Sequence, residues 1–486
     1  MKVHVVSLGC PRNLVDSEIM LGQLLEAGHT IISDESEADC VVVSTCSFIE
    51  PAVNESIDMI LEMGEWKEQC NGRRLIVVGC LPQRYGIDLV KTLPEVDVFL
   101  GTGAFNRIVE AAEGSLNGSR VVLPPPGCTL QDLSLPRFRT TASHTAYLKI
   151  AEGCSSRCTY CIIPKLRGSQ RSRGMEEVLS DASFLVESGA KELILVAQNT
   201  TSYGEDLGLG YCLEDLLEGL VQISGLVWVR VLYSHPDYVT DSLIEMIVSH
   251  SGLCSYFDIP IQHISPPILK SMGRSYNSSA ILELFDRIRN TVPDAALRTT
   301  LMVGFPSESD DDFESLLDLV ERMRFDHLGA FVYFNEKDLP SNALKNHVPD
   351  AVKQDRFDRL MSQQLVISRE KNQKYVGKTL QVLVEGGVKR TDALLTGVLP
   401  ASPARKGGVK RGSYTKMSVF LSGLRSTAVR QNPRPGGWGG FTGRAYFQVP
   451  EIDGVVYINK GAAKPGDFVH VQITEAREYD LIGVIV

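Results

Sequence analysis

Three thiols fall within eight residues in Cys154-Ser155-Ser156-Arg157-Cys158-Thr159-Tyr160-Cys161. Thiolates are soft donors suited to zinc or to iron-sulfur clusters, and spacing this tight wraps one loop around one metal centre. Three is one short of the four thiolates that a closed zinc site or a 4Fe-4S cluster takes. Either a distant Cys completes the set or one metal position stays open for chemistry. A second trio, Cys10, Cys46 and Cys80, is spread along the first part of the chain, each member just past a short apolar run. A free Cys is often a core residue, but a core role would put it inside a strand and not beyond its end. Cys40, Cys70 and Cys128 lack this placement and read as ordinary residues.

The apolar runs at 3–8, 29–33, 40–44, 75–79 and 96–100 predict strands. Helices fit between them, one starting at Asp16-Ser17-Glu18 and ending near Gly28, another over about 51–64. Such alternation gives a parallel sheet with helices on both faces, with ligands outside the carboxyl ends of the strands. In the flavodoxin-like order 2-1-3-4-5 the first, third and fourth strands are neighbours about 4.8 Å apart, so Cys10, Cys46 and Cys80 converge on one cluster-sized site.

A Pro- and Gly-rich stretch at 117–145 reads as a connector. Beyond it, strands at 146–152, 192–198, 227–233, 256–262, 297–303 and 327–334 alternate with helices at 176–188, 240–249, 279–291 and 310–324. Six β/α repeats make a partial barrel with its site at the carboxyl ends of the strands, and the Cys154 loop follows the first of them. Polar residues assigned to strand ends are candidates for holding cofactor and substrate: Gln198 and Asn199, Ser234, Gln262 and His263, and Arg298. Asp310-Asp311-Asp312 reads as a helix start favoured by the helix dipole, in preference to a cation site. Near the carboxyl end, strands at 379–385, 443–447, 455–458 and 467–473 with Gly turns predict a small antiparallel barrel. Inside it, about 387–440 is far longer than a hairpin needs, and ten Lys and Arg face a single acid, Asp392. That bias suggests an RNA contact, with a solvated loop of no assigned role as the alternative. RNA association that is salt-independent and unchanged when the insertion is deleted would reject it.

At 486 residues the chain has room for about three domains. We place them at 1–140, 141–370 and 371–486. With 43% hydrophobic and 22% charged residues it is an ordinary globular composition. The first residues run straight into a strand pattern and no long apolar span follows, which predicts a cytoplasmic protein with no membrane partner. Eleven Cys then favour reduced thiols serving metals over disulfides. A net charge of -10 argues against a protein built mainly to grip nucleic acid.

The C-x3-C-x2-C spacing with Tyr160 before the last Cys resembles the radical S-adenosylmethionine signature. Ser7-Leu8-Gly9-Cys10-Pro11-Arg12-Asn13-Leu14-Val15-Asp16-Ser17-Glu18, Ser44-Thr45-Cys46-Ser47-Phe48-Ile49 and Gly79-Cys80-Leu81 resemble the amino-terminal domain of the methylthiotransferases, in its ribosomal-protein branch. The blocks at Gln198-Asn199, at Phe257-Asp258-Ile259-Pro260-Ile261-Gln262-His263 and from Arg298 to Pro306 resemble the same family, and the last barrel resembles its TRAM module. The resemblance implies two 4Fe-4S clusters, a radical-generating one on Cys154, Cys158 and Cys161 and an auxiliary one on Cys10, Cys46 and Cys80. It also implies S-adenosylmethionine held near Tyr160, Gln198, Gln262 and Arg298.

The implied activity adds a methylthio group to the β-carbon of an Asp in the twelfth protein of the small ribosomal subunit, with external electron and sulfur donors. The tRNA branch, which methylthiolates an adenosine, is the alternative within the family. A zinc- and RNA-binding protein is the alternative from another class, and it leaves Cys10, Cys46 and Cys80 unexplained. Two stretches depart from the family pattern, Ser307-Glu308 after Gly304-Phe305-Pro306 and Tyr333-Phe334-Asn335-Glu336-Lys337-Asp338, and they put the contacts after the last strands in question.

Overall fold

The computed structural model describes residues 1–116, 118–127, 136–387 and 440–486. Nearly all of the basic insertion, along with Cys128, lies outside the described residues. β1 (Lys2–Ser7), β2 (Thr30–Ile31), β3 (Cys40–Thr45), β4 (Arg74–Gly79), β5 (Val98–Leu100) and β6 (Val121–Val122) form one parallel sheet in the order β2-β1-β3-β4-β5-β6. This is the expected order with an extra edge strand contributed by the connector. Consecutive β3 residues point to opposite faces. Val42 therefore packs beneath α1 (Pro11–Glu26), while Val41 and Val43 pack beneath α2 (Glu50–Glu68).

The helix expected from Asp16 begins five residues earlier. Pro11 occupies its first turn, where a missing N–H costs nothing. Asp16, Ser17 and Glu18 are therefore buried mid-helix groups and not a cap. Glu18 receives Arg137 at 2.7 Å and the backbone N–H of Thr140, also at 2.7 Å, so the end of the connector is strapped along α1. The strap lies close enough that a Cβ on Gly22 would meet the Pro136 carbonyl oxygen at 1.9 Å.

Three short helices complete the first body: α3 (Cys80–Tyr85), α4 (Asp88–Thr92) and α5 (Ile108–Glu113). The central body begins with β7 (Thr145–Lys149), β8 (Ala151–Glu152), α6 (Ile163–Arg167), β9 (Arg171–Ser172), α7 (Met175–Glu187) and β10 (Glu192–Val196). It continues through α8 (Leu213–Val221), β11 (Trp228–Val231), α9 (Asp241–Ser249), β12 (Tyr256–Asp258), α10 (Pro266–Ser271) and α11 (Ser278–Thr291). β13 (Ala296–Val303), α12 (Asp310–Met323), β14 (His327–Val332) and α13 (Asp350–Gln373) finish it. The parallel triples β11-β10-β7 and β12-β13-β14 meet where the Ser234 N–H donates to the Asp258 carbonyl at 2.9 Å, giving the expected six-strand partial barrel. At α12 the Ser309–Asp312 capping box bears out the helix-start reading of the triple Asp.

β15 (Thr379–Gly387), β16 (Phe441–Arg444), β17 (Val456–Lys460), β18 (Phe468–Ala476) and β19 (Leu481–Ile485) close a barrel in the order β15-β16-β17-β19-β18. It is antiparallel as expected, except that β17 and β19 run parallel.

This small barrel sits across the amino-terminal ends of the large one. Arg444 reaches Glu192 at 2.6 Å and Thr145, the first residues of β10 and β7. Phe468 meets the ring of Trp228 at 4.7 Å, at the start of β11. Asp453 accepts from the Tyr256 hydroxyl at 2.8 Å, at the start of β12, and the Phe447 carbonyl meets His327 at the start of β14. Tyr446 donates to the Asp294 carbonyl just before β13.

Glu192, Arg230 and Arg444 are fully buried in this floor. Burial disfavours the Glu192 charge, but the Arg444 and Arg230 guanidinia outweigh it and hold the carboxyl at about 2. Its folded value is depressed below the ordinary 4.5. Its contribution is therefore complete above pH 5 and is lost as the pH falls through 4.5 towards 2. Unfolding free energy measured by urea titration should drop by about 3 kcal/mol over that window, and the drop should vanish in Glu192→Gln, itself a less stable chain.

Candidate active site

The carboxyl ends of the large barrel face the first domain. Lys149, the last residue of β7, pairs with Asp16 and, at 2.9 Å, with Glu152. Arg12 donates to the Ala197 carbonyl just past β10 at 3.0 Å, and its guanidinium lies 4.8 Å from the ring centre of Tyr233, past β11. Arg84 in α3 reaches Glu336 at 2.7 Å and Asp338 at 3.1 Å, past β14. One of the two departures from the family pattern is thereby explained as a docking contact. At the other, the buried Glu308 accepts from the Gly304 N–H at 2.7 Å and from Arg356 at 2.8 Å, which fixes the turn after β13.

Both Cys trios lie on this junction. Thr45 and Gly79 are paired across β3 and β4, so Cys46 and Cys80 emerge side by side, and Cys10 follows the adjacent β1. Burial pushes the Cys46 thiol up to about 12, and the nearby Cys80 and Cys10 add to it. Burial opposes ionisation of Cys10 too, but the Arg12 and Arg167 guanidinia outweigh it and lower that thiol. In the second trio burial pushes Cys161 up to about 12, with Cys158 and Cys154 adding to it. All ten described cysteines are free. Thiols crowded in this way ionise together only when a metal replaces their protons. Among the described residues no three Cys, His, Asp or Glu are placed to share a single metal ion.

Local backbone explains the position of each loop. Gly79 and Gly153 each stand just before a Cys of one trio, with φ of +102° and +81°. An added Cβ would lie 2.8 Å from the Thr45 carbonyl oxygen at Gly79 and 2.2 Å from that of Ser169 at Gly153. The Cys154 loop is also pinned by the end of α10. The Thr159 N–H donates to the Met272 carbonyl at 3.0 Å, and Arg274 donates to the Tyr160 hydroxyl at 2.6 Å. Gly153→Ala is expected to lower bound iron and sulfide to about half after anaerobic reconstitution, by loss at Cys154, Cys158 and Cys161 alone.

The other expected site residues divide. Tyr160 stands in the loop, with its ring edge-on to Phe305. Gln198 donates to Glu152 at 2.7 Å, and its own carbonyl oxygen is buried without a partner. Gln262 follows β12 with a positive φ of 69°, locked in place by an N–H bond to Thr300 and a carbonyl bond from Met302. Asn199 and His263 lie on the same loops and accept local bonds from Thr201 and Ser265, while Ser234, past β11, is spent on the seam bond to Asp258. Arg298 does not end its strand. It is the third residue of β13, paired with Asp258 at 2.8 Å and 3.8 Å from Asp453 of the small barrel, so it faces the floor.

Sequence reasoning missed Arg167. Its guanidinium contacts Asp16 at 3.2 Å, Glu152 at 2.9 Å, Asn13, and the Cys80 sulfur at 3.8 Å. It thus bridges one Cys trio to the strand that carries the other.

A partial barrel with a three-Cys loop at its rim, roofed by three strand-end thiols and floored by a small closed barrel, has the architecture of a radical S-adenosylmethionine methylthiotransferase. Residues 2–101 match the uncharacterized protein family UPF0004, residues 148–320 the radical SAM superfamily and residues 436–486 the TRAM domain. The ribosomal protein uS12 methylthiotransferase RimO of Desulfosudis oleivorans is 45% identical over 99% of both chains. That of Geobacter sulfurreducens is 43% identical over 100% of this chain and 98% of its own, and that of Clostridioides difficile 42% over 99% and 98%. The chain belongs to this ribosomal protein uS12 methylthiotransferase family. Among solved structures, the radical S-adenosylmethionine methyltransferase TsrM from Kitasatospora setae shares the fold, with a TM-score of 0.52 at 11% identity, over 75% of this chain and 89% of that one.

Proposed function

We propose that this chain adds a methylthio group to the β-carbon of an aspartate in ribosomal protein uS12. Cys154, Cys158 and Cys161 hold the radical-generating 4Fe-4S cluster, and Cys10, Cys46 and Cys80 hold the sulfur-donating one. The observation that carries this reading is the placement of two thiol trios on either side of one junction, with Arg167 touching Cys80 on one side and Glu152, two residues before Cys154, on the other. When bound, these groups with S-adenosylmethionine supply one-electron carbon chemistry, sulfur and a methyl group.

The chain's own residues orient and enclose. Arg274 fixes the Tyr160 ring beside Cys161. Gln198 and Gln262 line the rim, and the buried Gln198 oxygen is a free acceptor for a bound cofactor. Arg298, lower in the barrel, would act through Asp258. The small barrel shuts the opposite mouth, which keeps water and oxygen from a reactive centre. An external electron donor and an external sulfur donor complete the proposal. The basic insertion would add contact with ribosomal RNA.

Mass spectrometry of uS12 from a deletion strain tests the reading. Restoration of the methylthio group by the wild-type gene, and not by variants in either Cys trio, is the expected result. Fully modified uS12 in the deletion strain, with methylthio groups missing from tRNA, would overturn it.

A further inference from the structure

The substrate side chain in this reading is a carboxylate, and a carboxylate entering a half-buried junction needs a cation. Most cations facing the junction are already neutralised. Arg167 and Lys149 share Asp16 and Glu152, Arg84 holds Glu336 and Asp338, and Arg173 holds Glu177 and Asp181. Arg12 differs. Its Nε donates to the Cys10 sulfur at 3.3 Å and one terminal nitrogen to the Ala197 carbonyl, while its face lies over Tyr233. The charged groups it meets are Cys10 and Arg167, and no described carboxylate pairs with it. It is also only partly buried, and it stands between the end of β10 and the first thiol of the roof.

We infer that Arg12 is the substrate-binding residue for the target aspartate: its guanidinium takes the side-chain carboxylate and so sets the β-carbon beside the Cys10 thiolate, at the mouth of the barrel. Neighbouring geometry suits this role. The Ala197 bond and the Tyr233 ring fix the plane of the guanidinium before substrate arrives, so little side-chain freedom is lost on binding. Discrimination against an amide follows, because asparagine offers the guanidinium no charge. The inference rests on the uS12 reading above.

Binding of purified uS12 to the reconstituted chain tests it, using uS12 with its native target Asp and uS12 with that Asp replaced by Asn. The wild-type chain is expected to prefer the Asp form by about tenfold, the scale of one charge-assisted hydrogen bond. Arg12→Met should bind both forms equally, and Arg12→Lys should retain part of the preference. KM for the Asp form should rise in Arg12→Met by a similar factor. Since Arg12 also touches Cys10, iron and sulfide are assayed in each variant. An Arg12→Met chain that keeps the Asp preference would overturn the inference whether or not it holds iron, as would a wild-type chain without any preference. A wild-type chain that ignores uS12 altogether and modifies tRNA would instead overturn the functional reading, and this inference with it.

Discussion

Replacing Cys154, Cys158 and Cys161 together by Ala is expected to leave about half of the iron and sulfide in place and to abolish cleavage of S-adenosylmethionine. The remaining half would belong to Cys10, Cys46 and Cys80, which emerge from different strands of a different body, positioned by their own sheet register. The converse triple substitution should preserve cofactor cleavage and abolish sulfur insertion, with 5'-deoxyadenosine produced without a modified product. Iron and sulfide analysis with chromatography of the cleaved cofactor reads both. A single loss of all iron from either triple variant would mean one shared cluster and would end the two-site assignment.

The second large effect is structural. Arg167→Leu removes the cation shared by Asp16 and Glu152 and leaves Lys149 to serve both. Buried carboxylates stripped of a partner cost about 3–5 kcal/mol, so the domain junction should loosen and the melting temperature fall by several degrees. Iron at Cys10, Cys46 and Cys80 should fall as well, because Arg167 also donates to Cys80 and Asn13. Arg167→Lys keeps one charge but not the fork that spans four partners, and it should recover only part of the stability. Melting curves with iron analysis decide between this account and a purely local one, in which the Cys site is untouched.

Much of this arrangement is legible along the chain because it is local. Strand-end placement of Cys10, Cys46 and Cys80 follows from where apolar runs stop, and the parallel sheet follows from alternation with helices, while its strand order had to be taken from the flavodoxin-like pattern. What was not legible depends on pairs far apart in sequence. Asp16-Ser17-Glu18 resembles a helix start, and only the distant Lys149, Arg167 and Arg137 show that these acids are docking groups. Arg298 was expected at the rim, although the strand predicted at 297–303 already puts it near the amino end of that strand. Pairing with Asp258 and proximity to Asp453 place it near the floor. Arg12 sat inside a quoted stretch without a role, since its lack of a carboxylate partner is visible only in three dimensions.

The floor carries a consequence for how the protein is made. Every strand of the large barrel begins against, or just beside, a residue from the last fifty of the chain, as Trp228 does against Phe468 and Tyr256 against Asp453. On the ribosome those partners emerge after all six strands, so a nascent chain exposes the underside of its barrel until the small barrel has been made. A chain stopped before Phe441 should therefore be a client of chaperones and prone to aggregate, although every Cys that would bind a cluster has already been synthesised.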